Sequence, residues 1–457
     1  MLRITVPAMA TNDDLVAKLS SVAEKHHLPG AAAGVLMGDE QFTAAHGVTN
    51  VEHPAPVSPE TLFQVASVTK TFTSVAVMLL VQEGRLALSD PVTRHLPELG
   101  PATGLDFEAI TIERLLSHQA GFDGDHLFVQ GEWDDLSVLA DARRLFEPGT
   151  GFSYNNAAFS IAGAVIEAVA GQSYESFVRE RLLRPLGMKS AAFTADEAIT
   201  YSVAAPHWVN GDTAVVIRGL GWQPGWELGP VDRPAAGLIA SAEHLLTWCR
   251  FQWTGTALDG SEILSRESLD RLHTPVVAVS RVEEVGLDWY VWRIADVTAI
   301  GHGGLTAGYC TELVVVPERQ FAFVGLTNGT NGDPVNDEMR RWALGHFAGI
   351  EERDLEPDPT VVVDSARVIG RFAHAFWLLT VTAGDAPGSI VVTASDREDS
   401  SGWQPPSDSP VTLAFFAEDQ AVSTDSPGSP RVARFGFVAD GRAEWMLWNG
   451  RRAVRVD

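Results

Sequence analysis

No run of 18 or more apolar residues occurs in the 457-residue chain, so nothing in it reads as a membrane-spanning helix. Cysteine is nearly absent. Cys249 and Cys310 are too few for a disulfide framework or a thiolate metal cluster, and their settings, Trp-Cys-Arg and Tyr-Cys-Thr, read as packing positions for free thiols. Positive charge is scarce: 33 Lys and Arg stand against 59 Asp and Glu, and a formal charge of −26 argues against nucleic-acid and membrane-surface partners. The histidines, His26-His27 among them, lack complementary ligand spacing, so neither a metal nor a cofactor is expected. The first seven residues carry one basic residue and no apolar signal core, and a cytoplasmic location is the expectation.

What is present suits a globular protein. Apolar residues make up 45% of the chain, and the length exceeds what one core usually fills, so two domains are expected. Residues 12–27 carry Leu15, Val16, Leu19, Val22 and Ala23 at helical spacing, with Asn12 or Asp13 as the cap. Two apolar runs around Gly38-Asp39-Glu40 read as a hairpin. A nearly all-apolar helix follows over residues 71–83 and stops at Gly84. Further helices read at about 158–170, 174–183, 242–253 and 337–347, with strands at 289–294, 299–304, 313–317 and 321–327. Residues 195–234 lack periodicity and read as an irregular excursion over a cleft. The acidic, proline-bearing stretch 353–364 reads as a linker between a first domain, 1–352, and a second, 365–457. Beyond it the period changes to two, with Asp440-Gly441 and Asn449-Gly450 as hairpin turns, which predicts a small antiparallel barrel or sandwich.

Phe63-Gln64-Val65-Ala66-Ser67-Val68-Thr69-Lys70 carries the chemistry. Residues three apart on a helix share a face, so Ser67 and Lys70 sit within reach of each other, and a buried ammonium is prone to a lowered pKa. A serine so placed can be activated as a nucleophile, and the helix start offers unpaired N–H groups to an oxyanion. A second candidate is the turn-rich loop ending Ser153-Tyr154-Asn155-Asn156. Taken singly, Tyr154 also reads as a packed turn tyrosine, Asn156 as a helix cap and His302 as a strand histidine. His118, His126 and His207 read as structural or surface groups.

Ser67-Val68-Thr69-Lys70, Tyr154-Asn155-Asn156 and His302-Gly303-Gly304 occur in the order of the three motifs of serine β-lactamase-like enzymes, and the chain resembles that family over most of residues 12–350. The family includes class C β-lactamases, D-alanyl-D-alanine peptidases, esterases and D-aminopeptidases. The resemblance implies an α+β fold, an antiparallel sheet flanked by helices. The C-terminal strand pattern resembles the lipocalin-like barrels that some D-aminopeptidase-type members append. It further implies that Ser67 is acylated, that Lys70 keeps the site electropositive, and that Tyr154 is general base and then acid. Lys70 and His302 would be the cations that let a phenol act as a base. Asn156 would orient the acyl side chain. The N–H groups of Ser67 and Leu305 would form the oxyanion hole, with Gly303 and Gly304 allowing close approach. His302-Gly303-Gly304 departs from the Lys-Thr-Gly of β-lactamases, which weakens a β-lactamase or carboxypeptidase reading. A serine hydrolase of D-amino-acid amides or peptides, or of small esters, is expected, with a small-molecule or peptide substrate. An acyltransferase of the same fold and a penicillin-binding-like recognition module stand as alternatives.

Overall fold

The computed structural model describes residues 10–99, 105–125, 136, 139, 142–218, 227–375, 377–396, 410–424, 430–438 and 441–457. The chain forms two compact units. One comprises Met1–Asp90, Phe159–Val276 and Val285–Glu352; the other comprises Pro91–Ala158, Val277–Glu284 and Arg353–Asp457.

The first unit is built on an antiparallel sheet. Six of its eight strands are β1 (Gly30–Met37), β2 (Glu40–Gly47), β3 (Tyr290–Ile294), β4 (Val297–Thr306), β5 (Tyr309–Val316) and β6 (Phe321–Thr327), running β2-β1-β6-β5-β4-β3. β1 is buried at all eight positions and β6 at all seven, as continuous apolar runs require when both faces of a sheet are covered. On one face the odd-numbered residues of β1 pack with helix α1 (Asn12–Lys25), through Leu15, Leu19 and Val22, and with helix α5 (Gly332–Ala348), through Val335, Met339 and Phe347. On the other face helix α4 (Ala242–Thr254) comes so close that a Cβ on Gly34 would lie 2.6 Å from Leu246. Trp248 of α4 stacks on Phe72 with ring centroids 3.7 Å apart, and its indole N–H donates to Thr71 at 3.0 Å.

That last contact belongs to helix α2 (Thr69–Gln82), in which every residue from Thr69 to Leu80 is buried. Thr69, Thr71, Thr73, Val75 and Val77 are poor helix formers, so burial rather than intrinsic propensity holds this helix. Its threonine hydroxyls are satisfied by backbone carbonyls: Thr69 donates to the Ala66 carbonyl at 2.6 Å, Thr71 to the Val68 carbonyl at 2.7 Å and Thr73 to the Pro234 carbonyl at 2.7 Å.

Several boundaries differ from the sequence reading. Thr11, not Asn12 or Asp13, caps α1, in a reciprocal capping box with Asp14. α5 begins at Gly332 because Pro334 is tolerated in a first turn, where its missing N–H is not needed. The stretch 195–234 is less irregular than expected. It holds a short helix capped by Thr194 and a hairpin of His207–Asn210 with Thr213–Val216, turning through Gly211 in the left-handed region. Residues 219–226 of it, like His126 and Asp440, lie outside the described residues.

In the second unit, eight strands close into a barrel: β7 (Gly370–Ala373), β8 (Trp377–Ala383), β9 (Ile390–Asp396), β10 (Val411–Ala417), β11 (Gln420–Ser423), β12 (Val432–Phe437), β13 (Ala443–Trp448) and β14 (Arg451–Arg455). The first and last strands pair antiparallel, with Phe372 opposite Arg455, so no edge is left. Val411, Leu413, Phe415 and Ala417 alternate inward along β10 and join Phe372, Leu379, Phe435 and Met446 in the barrel core. Both cysteines are buried free thiols, and among the described residues no helix is long and apolar enough to cross a membrane.

Candidate active site

A short strand pair, Phe63 opposite Ala240 and Gln64 opposite Ile239, delivers the chain to Ser67. Val65 donates to the Leu238 carbonyl at 2.9 Å. Ala66 then adopts φ +51°, a left-handed conformation that costs a side-chain-bearing residue roughly 1–3 kcal/mol. One turn of 3-10 helix, Ala66–Val68, runs into α2 and leaves Ser67 half-buried between buried neighbours. Thr69 ties the turn down, since its hydroxyl also accepts the Leu238 N–H at 3.0 Å.

Lys70 lies where helical spacing places it. Its Nζ donates to Ser67 Oγ at 3.1 Å and to the Ala235 carbonyl at 2.8 Å, with the Phe159 ring centroid 5.6 Å away and none of the residue exposed. Ala235 belongs to the short helix Arg233–Ala236, and the residue before that helix is Asp232, which sequence reasoning missed. Burial pushes the Asp232 carboxyl up to about 6 against the opposing charge of Lys70.

Strand β4 lies against the same turn. A Cβ on Gly304 would fall 2.3 Å from the Val65 carbonyl oxygen and 3.3 Å from the Ser67 amide nitrogen, so only glycine fits there. Gly303 is exposed and Leu305 half-buried. His302 is buried, 3% exposed; its Nδ1 lies 2.5 Å from the Gly303 carbonyl and its Nε2 3.4 Å from the carboxylate of Asp288, a residue with no exposed surface. Because a carbonyl only accepts, Nδ1 carries a proton. Asp288 was also missed; its only sequence signal is an acid between the fully buried Leu287 and Trp289.

Ser67, Lys70, His302, Gly303, Gly304 and Leu305 thus belong to the first unit; Tyr154 and Asn156 belong to the second. Tyr154 donates its backbone N–H to the Gly450 carbonyl at 2.8 Å, its ring stacks on His118 at 4.4 Å, and the Arg451 guanidinium lies 4.9 Å from the ring centroid. His118 is fully buried, and its Nδ1 accepts the Asn155 N–H at 3.0 Å, so this histidine is part of the loop's framework rather than a surface group. Asn155, not Asn156, caps the following helix, accepting from Ala158 N–H at 2.8 Å. Asn156 instead donates to Asp125 at 2.5 Å.

Asp125 has no exposed surface and also pairs with Arg451. His374 lies 3.7 Å from Asp125 and 3.5 Å from Asp123; burial holds it below the usual histidine range, opposed by the two carboxylates. Removing one partner of such a buried pair leaves an uncompensated charge, at a cost of about 3–5 kcal/mol. Asp125 and Arg451 are 326 residues apart, and no local pattern linked them to Tyr154. Among the described residues, no group of three or more His, Cys, Asp or Glu is arranged to hold a metal ion.

The beta-lactamase family model matches residues 12–346, and the chain belongs to that family, whose members are serine hydrolases. Penicillin-binding protein 4 of Amycolatopsis lactamdurans is 28% identical over 376 residues, a match covering 78% of this chain and 96% of that protein. Among solved structures, SurE superposes with a TM-score of 0.72 at 25% identity, covering 97% of this chain and 99% of SurE. A D-stereospecific amidohydrolase from Streptomyces sp. shares the fold at 22% identity, with a TM-score of 0.57 over 70% of this chain and 94% of that one.

Proposed function

We propose that the protein cleaves an amide or ester through an acyl-enzyme on Ser67, with a D-amino-acid amide or peptide, or a small ester, as substrate. The observation that carries this reading is the buried Lys70 ammonium on Ser67 Oγ, with a glycine strand laid against the Ser67 amide. Lys70 keeps the hydroxyl oriented and the site electropositive. Tyr154 takes the Ser67 proton and returns it to the leaving group; a phenol, ordinarily ionising near about 10, does so only with the help of cations, the role this reading gives to Lys70 and His302. The N–H groups of Ser67 and Leu305 receive the developing oxyanion, which contributes about 3–4 kcal/mol per donor in comparable sites. Gly303 and Gly304 admit the substrate, and Asn156, its own orientation set by Asp125, orients the acyl group.

Charge favours a neutral acyl compound over one with a free carboxylate beside the scissile bond. The position of a fixed lysine is taken by His302, whose charge when protonated is offset by the Asp288 carboxylate facing it. The D-stereospecificity of the Streptomyces neighbour supports a D-configured acyl group. The test is kcat/KM at pH 8 for a neutral ester, D- and L-aminoacyl amides and a penicillin, in the wild type and in His302→Lys. The neutral D-aminoacyl amide or ester is expected to lead by more than tenfold, and His302→Lys to narrow the gap; a wild type that prefers the penicillin overturns the reading.

A further inference from the structure

Tyr154 needs a cation beside it, and its own unit supplies one that no family motif contains. The barrel turn Asn449-Gly450 leads into β14, whose first residue is Arg451. Gly450 accepts the Tyr154 N–H, Arg452 donates its N–H to Ser153 Oγ at 3.1 Å, and Arg451 lies over the Tyr154 ring. The Arg451 side chain is 19% exposed and is oriented by Asp125, which has no exposed surface and also holds Asn156. One carboxylate therefore sets both the guanidinium above Tyr154 and the amide of the residue two positions on.

We propose that Arg451 is a positioning residue of Tyr154: fixed by Asp125, its guanidinium holds the phenol ring in place and favours its ionised form. This rests on the reading of Tyr154 as general base and makes the C-terminal barrel part of the catalytic machinery. A guanidinium about 5 Å from the ring attracts the π face and, more strongly, a phenolate; such contacts strengthen as water is excluded. Among the described residues of the unit, titratable groups around these two side chains include His118, stacked on Tyr154, and Asp123, Asp125 and His374, with Arg143 acting on His374. His118 accepts the Asn155 N–H at Nδ1, and Arg451 places a cation over the ring. Lys70 and His302 are unchanged in every variant below.

The chain has five tyrosines, and burial raises Tyr174 and Tyr309 above the usual phenol range. Phenolate absorbance, taken as the difference between each protein and its Tyr154→Phe counterpart, therefore isolates Tyr154 in the full-length chain. Arg451→Gln should raise the Tyr154 midpoint by about one unit and lower kcat on a p-nitrophenyl ester about tenfold, with KM within about twofold. Arg451→Lys, which keeps the charge but not the planar fork, should lie between wild type and Arg451→Gln. If Arg451→Gln does not fold because Asp125 is left buried alone, Arg451→Gln with Asp125→Asn removes both charges and should show a smaller midpoint rise, because loss of the carboxylate acts in the opposite sense. An unchanged midpoint in the folded variants overturns the proposal, as does a change confined to KM, which would place Arg451 on the substrate instead. Since the titration requires no turnover, it stands apart from any failure of the proposed reaction.

Discussion

Ser67 and Tyr154 are held by contrasting means. Ser67 sits where a strand pair meets a helix buried from Thr69 to Leu80, and apart from the Lys70 ammonium on its hydroxyl the turn that holds it is fixed by apolar side chains, threonine hydroxyls and backbone carbonyls. Tyr154 sits on a loop fastened by Gly450, His118, Arg451 and Asp125, a set drawn from distant parts of the sequence and dominated by charge. The difference fits the roles proposed for the two positions. A nucleophile gains from a rigid, pre-strained turn, and apolar packing is the least directional way to enforce one. A phenol serving as a base depends on the field around it, and only placed charges supply that field.

Three experiments break or sharpen the contrast. The largest effect is expected from Ser67→Ala, a loss of about 10⁴-fold or more in kcat with an unchanged far-UV spectrum, because removing one hydroxyl disturbs little in an apolar framework. Near-wild-type turnover would displace Ser67 as nucleophile. Next is deletion of residues 360–457, which strips Tyr154 of the Gly450 carbonyl and Arg451 while leaving the apolar framework of Ser67 intact. Esterase activity should fall by about 10²-fold, while a reactive phosphonate still labels Ser67. A truncated chain that turns over at the full rate would show that the charged set is dispensable; an insoluble one would show that the boundary at 353–364 does not separate two folding units.

The smallest effect is expected from Asp232→Asn, which removes the carboxyl acting on Lys70. Its pKa is raised by burial to about 6, so its contribution to stability is complete below the ordinary carboxyl range and is lost as pH rises through 6. The variant should therefore gain thermal stability relative to wild type at pH 8 but not at pH 4, and should lose an inflection near pH 6 in kcat/KM. An identical pH profile in both proteins would show that Asp232 does not contribute to the field at Lys70.

Legibility in the sequence followed the range of the interactions. The Ser67–Lys70 contact spans one helical turn, so spacing sufficed. The continuous apolar runs of β1 and β6 and the period-two pattern of β10 marked strands because burial on two faces or one face writes itself into consecutive residues. Gly304 was legible as a glycine needed for close approach, though not what it approaches. Asp232, Asp288, Asp125 and Arg451 were missed, since an isolated charge in an apolar or turn-rich stretch looks the same whether it faces water or a buried partner. For the same reason the sequence left His118 as either a structural or a surface group, and only the fold shows it to be structural. The hairpin at 207–216 escaped notice because each of its strands is four residues long, too short for periodicity to register.

By itself the sequence determined the family, the sheet-and-helix framework, the barrel and the pairing of Ser67 with Lys70. The Ser67–Lys70 pairing and the barrel are encoded by spacing along one element or by the alternation of neighbours, whereas the family is read from the order of three separated motifs. The tertiary structure alone decided which charges surround the reactive groups. Asp288 faces His302, Asp232 acts on Lys70, and Arg451 lies over Tyr154 with Asp125 behind it. Electrostatic partners are chosen by distance in space and by exclusion of water, and neither quantity exists until the chain has folded.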